Sequence, residues 1–394
     1  MASIVPRLNE VRKKTLQSFA EEFGEIANIC VCAPGRVNLI GEHTDYNDGF
    51  VLPMALPMVT IIAGKTTENS VCRIISICNA IGDKNEVEFD ISDRENLKPT
   101  DPKWANYIKG CIAQFPYDGI LPGFKAVIVS TVPVGAGLSS SAALEVATYT
   151  FLEAMTGCFT QKLEDKALVC QNVEHHFTGV PCGIMDQFIS VMGKEGHALL
   201  LDCRDLSIKQ IPIEHIEDNV FLITNSNTPH KLSSSAYCER RDSCFEAAKL
   251  LNKKSLRDAT LEDLKVLKSK NCSEVIIKRA RHVITEIQRT LEAAVALQNG
   301  DLQKFGTLMN ESHDSLRDDY QVSSKELDTL VSSAREVQGV VGSRLTGAGF
   351  GGCTVTLLRK DAVDEAIKHI KKKYKDATFY ISKPSAGARQ LEAK

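Results

Sequence analysis

Apolar positions along the chain follow two alternating periods. Leu8, Val11, Thr15, Phe19 and Phe23 recur at helical spacing, and Gly24 stands where such a helix would end. Shorter apolar runs at 29–32, 71–77 and 87–91 predict strands, and the run 50–63 reads the same way despite Pro53 and Pro57. Trp104, Ile108, Cys111, Ile112 and Phe115 mark a helix. The apolar run 124–129 predicts a buried strand, which feeds a Gly- and Ser-rich loop and then a helix over 142–155. Helices are expected over 163–177, ending at Gly179, and over 184–192; strands are expected over 197–201 and 220–224. From about 233 to 338 the pattern is largely helical, with breaks near Asn252, Asn271, Gly300 and Ser323. A Gly-rich strand segment over 342–358, a helix over 361–375 and a strand over 379–382 complete it. Strands and helices mix without regular βαβ alternation, so the expected class is α+β.

Composition sharpens this outline in three respects. The 394 residues are 43% hydrophobic, enough for two sizeable cores, and the boundary is expected near 202–219, giving domains 1–205 and 206–394. The net charge of −3 offers no bulk attraction to nucleic acid or to an anionic membrane. The basic cluster 368–375 shares a helical pattern with Ala366, Ile367 and Ile370 and reads as a solvated face. The 13 cysteines never take Cys-x-x-Cys spacing, which argues for a reducing compartment and against a disulfide framework or a zinc site. Residues 1–14 are polar and charged, unlike a signal peptide, and the apolar stretch 50–64 is too short to span a bilayer; a cytoplasmic protein is expected.

Three loops carry candidate chemistry. Pro133–Leu144 reads Pro-Val-Gly-Ala-Gly-Leu-Ser-Ser-Ser-Ala-Ala-Leu, with two glycines before a helix start and three serines at it. The stretch is either a serine-capped turn or a phosphate cradle, since the first amides of a helix lack intrahelical acceptors and its dipole favours anions there. Arg36, Glu42, His43, Asp45 and Tyr46 crowd into eleven residues, a density suited to a polyhydroxyl ligand or to a polar loop with an ion pair. Asp186 falls in the first turn of an apolar helix just after Gly183, as a dipole-compensating acid or as a sheltered base or charge stabiliser. Glu174, on the preceding helix, is either a second site carboxylate or a solvent-facing one. Gly347–Gly352 fits G-x-G-x-x-G but runs into a strand, so it does not open a dinucleotide fold; it is a ligand-approaching loop or a tight turn. Neither loop ends in the Gly-Lys-Ser/Thr of a Walker A motif.

Together the three loops resemble the motifs of the GHMP small-molecule kinases. Gly35-Arg-Val-Asn-Leu-Ile-Gly-Glu-His-Thr-Asp-Tyr-Asn47 resembles the galactokinase signature almost letter for letter. Pro133–Ala143 resembles the family's ATP loop, and Leu345–Cys353 its C-terminal glycine motif. The resemblance extends over essentially the whole chain and is nearest to the vertebrate-type galactokinases. It implies a two-domain α+β fold with the active site in the cleft between domains. It implies MgATP-dependent phosphorylation of the anomeric hydroxyl of α-D-galactose, the first committed step of the Leloir pathway, by a protein more often monomeric than not. By resemblance Asp186 is the catalytic aspartate and Arg36 its neighbour. Arg36, Glu42, His43, Asp45, Gly183, Asp186 and Tyr237 match sugar-contacting positions. Gly135, Gly137, Ser139, Ser140 and Ser141 match the triphosphate loop, Trp104 an aromatic beside adenine, and Ser140 and Glu174 the magnesium ligands. One departure is Ala136 where some relatives carry glycine, harmless where its φ is negative. The rival expectations are a kinase for N-acetylgalactosamine or another sugar, and a non-catalytic galactose sensor. Sensors of this kind lack a Ser-Ala pair that is intact here at Ser141-Ala142.

Overall fold

The computed structural model describes residues 2–78, 82, 84–213, 218–228 and 233–393; residues 214–217, inside the expected boundary region, lie outside them. In chain order the first half runs α1 (Leu8–Phe23), β1 (Ile29–Asn38), β2 (Phe50–Val51), β3 (Pro53–Thr66), β4 (Val71–Ser76), β5 (Glu86–Asp90), α2 (Ala105–Gln114), β6 (Phe124–Ser130), α3 (Ser140–Thr156), α4 (Leu163–Val173), α5 (Met185–Met192), β7 (His197–Asp202) and β8 (Ile208–Pro212). The second half runs β9 (Asn219–Asn225), α6 (Ser233–Leu250), α7 (Asp263–Ser269), α8 (Glu274–Gln298), α9 (Leu302–Asp318), α10 (Lys325–Arg335), β10 (Val340–Thr346), β11 (Cys353–Arg359), α11 (Val363–Lys373), β12 (Thr378–Ser382) and β13 (Arg389–Leu391).

Three sheets organise these elements, ordered β13-β1-β3-β6-β4-β5, β10-β11-β9-β12 and β2-β7-β8. In the first, β4 and β6 run parallel and the other neighbours antiparallel. The alternation of β1 explains how both its faces are covered. Ile29, Val31 and Ala33 face a core shared with α2, α3, α4 and α5, while Cys30 and Cys32 face Val11 and Phe19 of α1. All thirteen cysteines are free thiols. A second core joins Val37, Leu52 and Met54 to Phe221, Phe305 and Val355, so the two halves of the chain share buried apolar surface. α6, α8 and the end of α9 enclose a third core, and α10 and α11 pack over β9 and β11 in a fourth. Among the described residues no helix is long and apolar enough to cross a membrane.

The fold is α+β, and most elements fall where periodicity puts them. β1 differs, since it continues past Cys32 to Asn38. Its register with β3 breaks between Pro34 and Arg36, and Pro57 sits in the irregular stretch opposite, where a missing amide hydrogen costs no ladder bond. The short strands β8 and β13 have no apolar run to announce them; β13 pairs with β1 across the whole length of the chain. The expected helical breaks arise from left-handed residues at Asn252, Asn271 and Gly300.

Candidate active site

The bulge in β1 aims Arg36. At Gly35 a Cβ would lie 2.6 Å from the Leu138 carbonyl oxygen, so only glycine lets β1 and the serine loop approach this closely. Arg36 donates through Nε to Asp186 Oδ1 at 2.7 Å, through Nη2 to Asp186 Oδ2 at 2.8 Å, and through Nη1 to the Gly137 carbonyl at 2.6 Å. Burial opposes the guanidinium's charge, yet Asp186 and Glu42 hold its pKa above the ordinary value.

Asp186 sits in the first turn of α5 and receives a third donor, Ser139 Oγ, at 2.5 Å. The serine cap, one of the two alternatives for this loop, is not made by Ser139. Ser139 is the residue before α3, but its side chain makes no capping bond, and it takes a left-handed φ of 60°. That conformation costs a non-glycine residue about 1 kcal/mol, and the bond to Asp186 is what it secures. Gly135 and Gly137 have φ of 70° and 73°, while Ala136 between them is not among the positive-φ residues. The first amides of α3 thus face the loop without intrahelical acceptors. Ser140 and Ser141 are half-buried in that first turn.

Across from the loop lies a cavity of about 260 Å³ bordered by Glu42, Asp45, Glu174, Asp186, Tyr237 and Ala348. Glu42 Oε1 accepts from Gly347 N (2.8 Å), Thr346 Oγ1 (3.2 Å) and Arg344 Nη1 (3.3 Å), which leaves Oε2 for the cavity. Asp45 Oδ1 accepts from Tyr46 N, and its Oδ2 lies so close to Gly183 that a Cβ there would come within 1.7 Å. Burial first, then the neighbouring Asp186 charge, pushes the Asp45 carboxyl up to about 7. Tyr237 reaches in from α6, its ring 5.5 Å from that of Tyr46 and 5.6 Å from that of His43. Both ring nitrogens of His43 are engaged within the protein, Nδ1 with Tyr46 OH at 2.6 Å and Nε2 with the Ala348 carbonyl at 3.1 Å. The glycine-rich loop 347–352 therefore meets the 42–46 turn directly.

Glu174 opens a π-helical turn, Glu174–Thr178, that ends at left-handed Gly179. Such turns commonly mark functional positions. Gln187 Nε2 bridges Glu174 Oε2 (2.9 Å) and Glu145 Oε2 (3.1 Å), and the nearby Ser141 hydroxyl favours the ionised form of Glu174. Burial, then Asp186, pushes Glu174 up to about 7; burial and Glu174 push Glu145 well above the carboxylate range. Glu145 Oε1 is buried without a partner. Clustered carboxylate and hydroxyl oxygens with unmet negative charge suit a hard divalent cation such as Mg²⁺. Among the described residues no three His, Cys, Asp or Glu converge as a metal cage. Trp104 lies outside the cavity, packed against the first core, with its indole N–H on the Lys84 carbonyl at 2.8 Å.

Several residues that build the site escape a linear reading. Glu286 on α8 accepts from Gly41 N (3.0 Å) and Ser312 Oγ (2.6 Å), and His282 Nε2 lies 3.1 Å from the Glu42 carbonyl. Arg344 on β10 is fully buried behind Glu42. The available signal was polar residues at helical spacing on a buried face, His282, Glu286 and Thr290, all 0% exposed.

The comparisons with known proteins agree along the chain. Residues 17–66 match the galactokinase galactose-binding signature, residues 106–194 the GHMP kinases N terminal domain, and residues 293–376 the GHMP kinases C terminal domain. A galactokinase of Homo sapiens is 50% identical over 388 residues, covering 98% of each chain. A galactokinase of Roseiflexus sp. is 42% identical over 387 residues, covering 95% of this chain and 96% of its own. The crystal structure of Lactococcus lactis galactokinase complexed with galactose superposes with a TM-score of 0.90 at 35% identity, covering 95% of this chain and 98% of that one. The chain belongs to the galactokinases of the GHMP kinase family.

Proposed function

We propose that this chain transfers the γ-phosphoryl group of ATP to the anomeric hydroxyl of α-D-galactose, with Asp186 receiving that hydroxyl. The observation that carries the residue roles is the junction of Arg36, Asp186 and Ser139, where one carboxylate touches the sugar cavity and the serine loop at once. A carboxylate offers about four acceptor sites. Three are filled by Arg36 and Ser139, leaving one for the attacking hydroxyl.

Phosphoryl transfer asks mainly for alignment and charge neutralisation. Glu42, Asp45, Tyr237 and the backbone at Gly183 hold the sugar hydroxyls. Gly135, Gly137, Ser140, Ser141 and the first amides of α3 hold the phosphates, with Trp104 toward the adenine. Glu174 with Ser141 and Ser140 would hold Mg²⁺, which when bound neutralises phosphate charge. Arg36 fixes Asp186 and adds positive charge beside the transferred group. Asp186 orients the hydroxyl and takes its proton as the bond to phosphorus forms. The same reading divides the chain at 205/206 and makes it a cytoplasmic monomer; the free thiols suit a reducing compartment. In the test, Asp186→Asn is expected to keep ATP binding by calorimetry and to lose at least about a hundredfold in galactose 1-phosphate formation. Near-normal turnover would sink the assignment.

A further inference from the structure

Gln187 follows Asp186 in the first turn of α5, and the two side chains face different ways. Successive helical residues point about 100° apart, so one turn serves two environments. Asp186 borders the cavity, while Gln187 is fully buried. The amide of Gln187 supplies one hydrogen to each of two carboxyls: Nε2 lies 2.9 Å from Glu174 Oε2 and 3.1 Å from Glu145 Oε2. It thereby ties α5 to α3, which carries Glu145, and to the π-helical turn that Glu174 opens. Cys182 Sγ also approaches Glu174 Oε2, at 3.6 Å, which leaves Oε1 for the cavity that Glu174 borders. The backbone of Glu174 is held as well, since its carbonyl accepts from Thr178 Oγ1 at 2.7 Å and from Val180 N at 3.2 Å. Gln187 Oε1, by contrast, is buried without a partner. Buried polar atoms are rarely left so. A methionine would fill the same space with no orphaned oxygen, so what glutamine adds at this position is the donor alone.

We propose that Gln187 is a positioning residue for Glu174: its amide, braced on Glu145, fixes Glu174 Oε2 and so presents Oε1 to Mg²⁺. This rests on the reading of Glu174 as a residue that would hold Mg²⁺. Glu145 takes the second amide hydrogen and is itself fully buried, so the amide cannot rotate away without losing both bonds. Partners behind a ligating carboxylate orient it, and losing one costs about ten- to hundredfold in metal affinity. The arrangement also sets a spacing. Asp186 and Gln187 are neighbours on one helical turn, so the acceptor for the sugar hydroxyl and the carboxylate on the metal side are referred to the same stretch of backbone.

The experiment uses the full chain. Calorimetry in the absence of galactose measures ATP affinity with and without Mg²⁺, and the ratio of the two affinities is the metal gain. Gln187→Met keeps the volume and removes the donor. It is expected to lose about tenfold of the metal gain, with metal-free ATP affinity and, in a separate titration, galactose affinity within about twofold of the parent. Gln187→Asn keeps the amide but is too short to reach, and it is expected to lose the same factor, so the test stands where one variant does not fold. In a Glu174→Gln background, Gln187→Met should cost no further metal gain. A full metal gain in a folded Gln187→Met or Gln187→Asn chain, where Glu174→Gln has lost it, overturns the inference. An equal fall in metal-free ATP affinity and galactose affinity also overturns it, since a merely structural residue would give that result. A Glu174→Gln chain with the full metal gain overturns instead the reading of Glu174 as a residue that holds the metal.

Discussion

Gly183→Ala adds one methyl group where the structure has none to spare. Gly183 is not among the positive-φ glycines, so alanine meets no backbone penalty there and the effect is that of the Cβ alone. That atom would come 1.7 Å from Asp45 Oδ2 and 2.1 Å from Asp45 Cγ, whereas real Cβ contacts essentially never fall below 3.0 Å. The Asp45 carboxylate has to swing away. Its other oxygen is tethered to Tyr46 N at 3.0 Å, so the swing also breaks that bond or drags the turn with it. A hydrogen bond from a sugar hydroxyl to a charged group contributes about 1.5–3 kcal/mol, which is a ten- to hundredfold change in affinity. Initial rates with galactose varied at saturating ATP should show kcat/KM for galactose falling by that factor. ATP varied at saturating galactose should give a KM within about twofold of the parent, and the melting temperature should barely move. In an Asp45→Ala background, Gly183→Ala should cost nothing further, because the clashing carboxylate is gone. Full additivity of the two substitutions, or an unchanged galactose KM in the single variant, would refute the reasoning.

Two further outcomes follow from charge. Asp45 carries a proton below about 7 in the folded chain and accepts more strongly from a sugar hydroxyl once ionised, so the galactose KM is expected to fall as pH rises from about 6 to about 8 and then flatten. His43 and His282, pushed down to about 3 and about 4, add no limb in that window, whereas Glu174, also pushed up to about 7, does, so Asp45→Asn should reduce the slope and leave the Glu174 part. A raised carboxyl also costs stability as pH climbs through its folded value, so denaturant titrations should find Asp45→Asn gaining on the parent chain at about pH 8 relative to about pH 6. Elsewhere, Lys166 and Glu153 form an ion pair at 2.7 Å with side chains 5% and 7% exposed. Lys166→Met leaves Glu153 buried without its cation and is expected to lower the unfolding free energy by about 3 kcal/mol, read by urea denaturation. A loss under about 1 kcal/mol would mean that water reaches the carboxylate.

What the sequence exposes and what it hides divide along a physical line. Local rules of period and capping reach a few residues along the chain, and they place α1, α3, α5 and the breaks at Asn252 and Gly300. The polar density at 36–46 is likewise local, and it lines the cavity. Ser139 misleads because two partners compete for one hydroxyl: the cap is three residues away, while Asp186 is 47 positions away and carries full charge. Charge-assisted bonds are the stronger kind, so the distant partner wins. The α8 residues behind the 41–42 backbone are illegible for the same reason, since contacts across some 245 positions leave only an oddly polar buried face as their trace. β13 is hidden differently: three residues completing a sheet edge need no apolar run of their own.

The distribution of charge explains why this cavity needs two substrates of opposite demand. Among the described residues bordering it stand Glu42, Asp45, Glu174 and Asp186 against the single permanent cation Arg36. An excess of acids would repel a triphosphate at this range. The acids are not spread evenly, however. Glu42 and Asp45 belong to the 42–46 turn, where sugar hydroxyls are donors and carboxylates are the right acceptors. On the loop side the groups nearest α3 are backbone amides and serine hydroxyls, which donate to phosphate oxygens. Glu174 is the exception, an acid beside Ser141 with Glu145 behind it and, among the described residues, no salt bridge to either. On the proposed reading, a divalent ion arriving with the nucleotide would recover that cost, which gives both carboxyls a reason to be there. Asp186 alone faces both sides, and Arg36 and Ser139 fix it at the seam. A neutral side chain at 186 would leave the buried Arg36 guanidinium without the Asp186 counter-charge as well as removing the base, so the two losses at that position are inseparable in kcat.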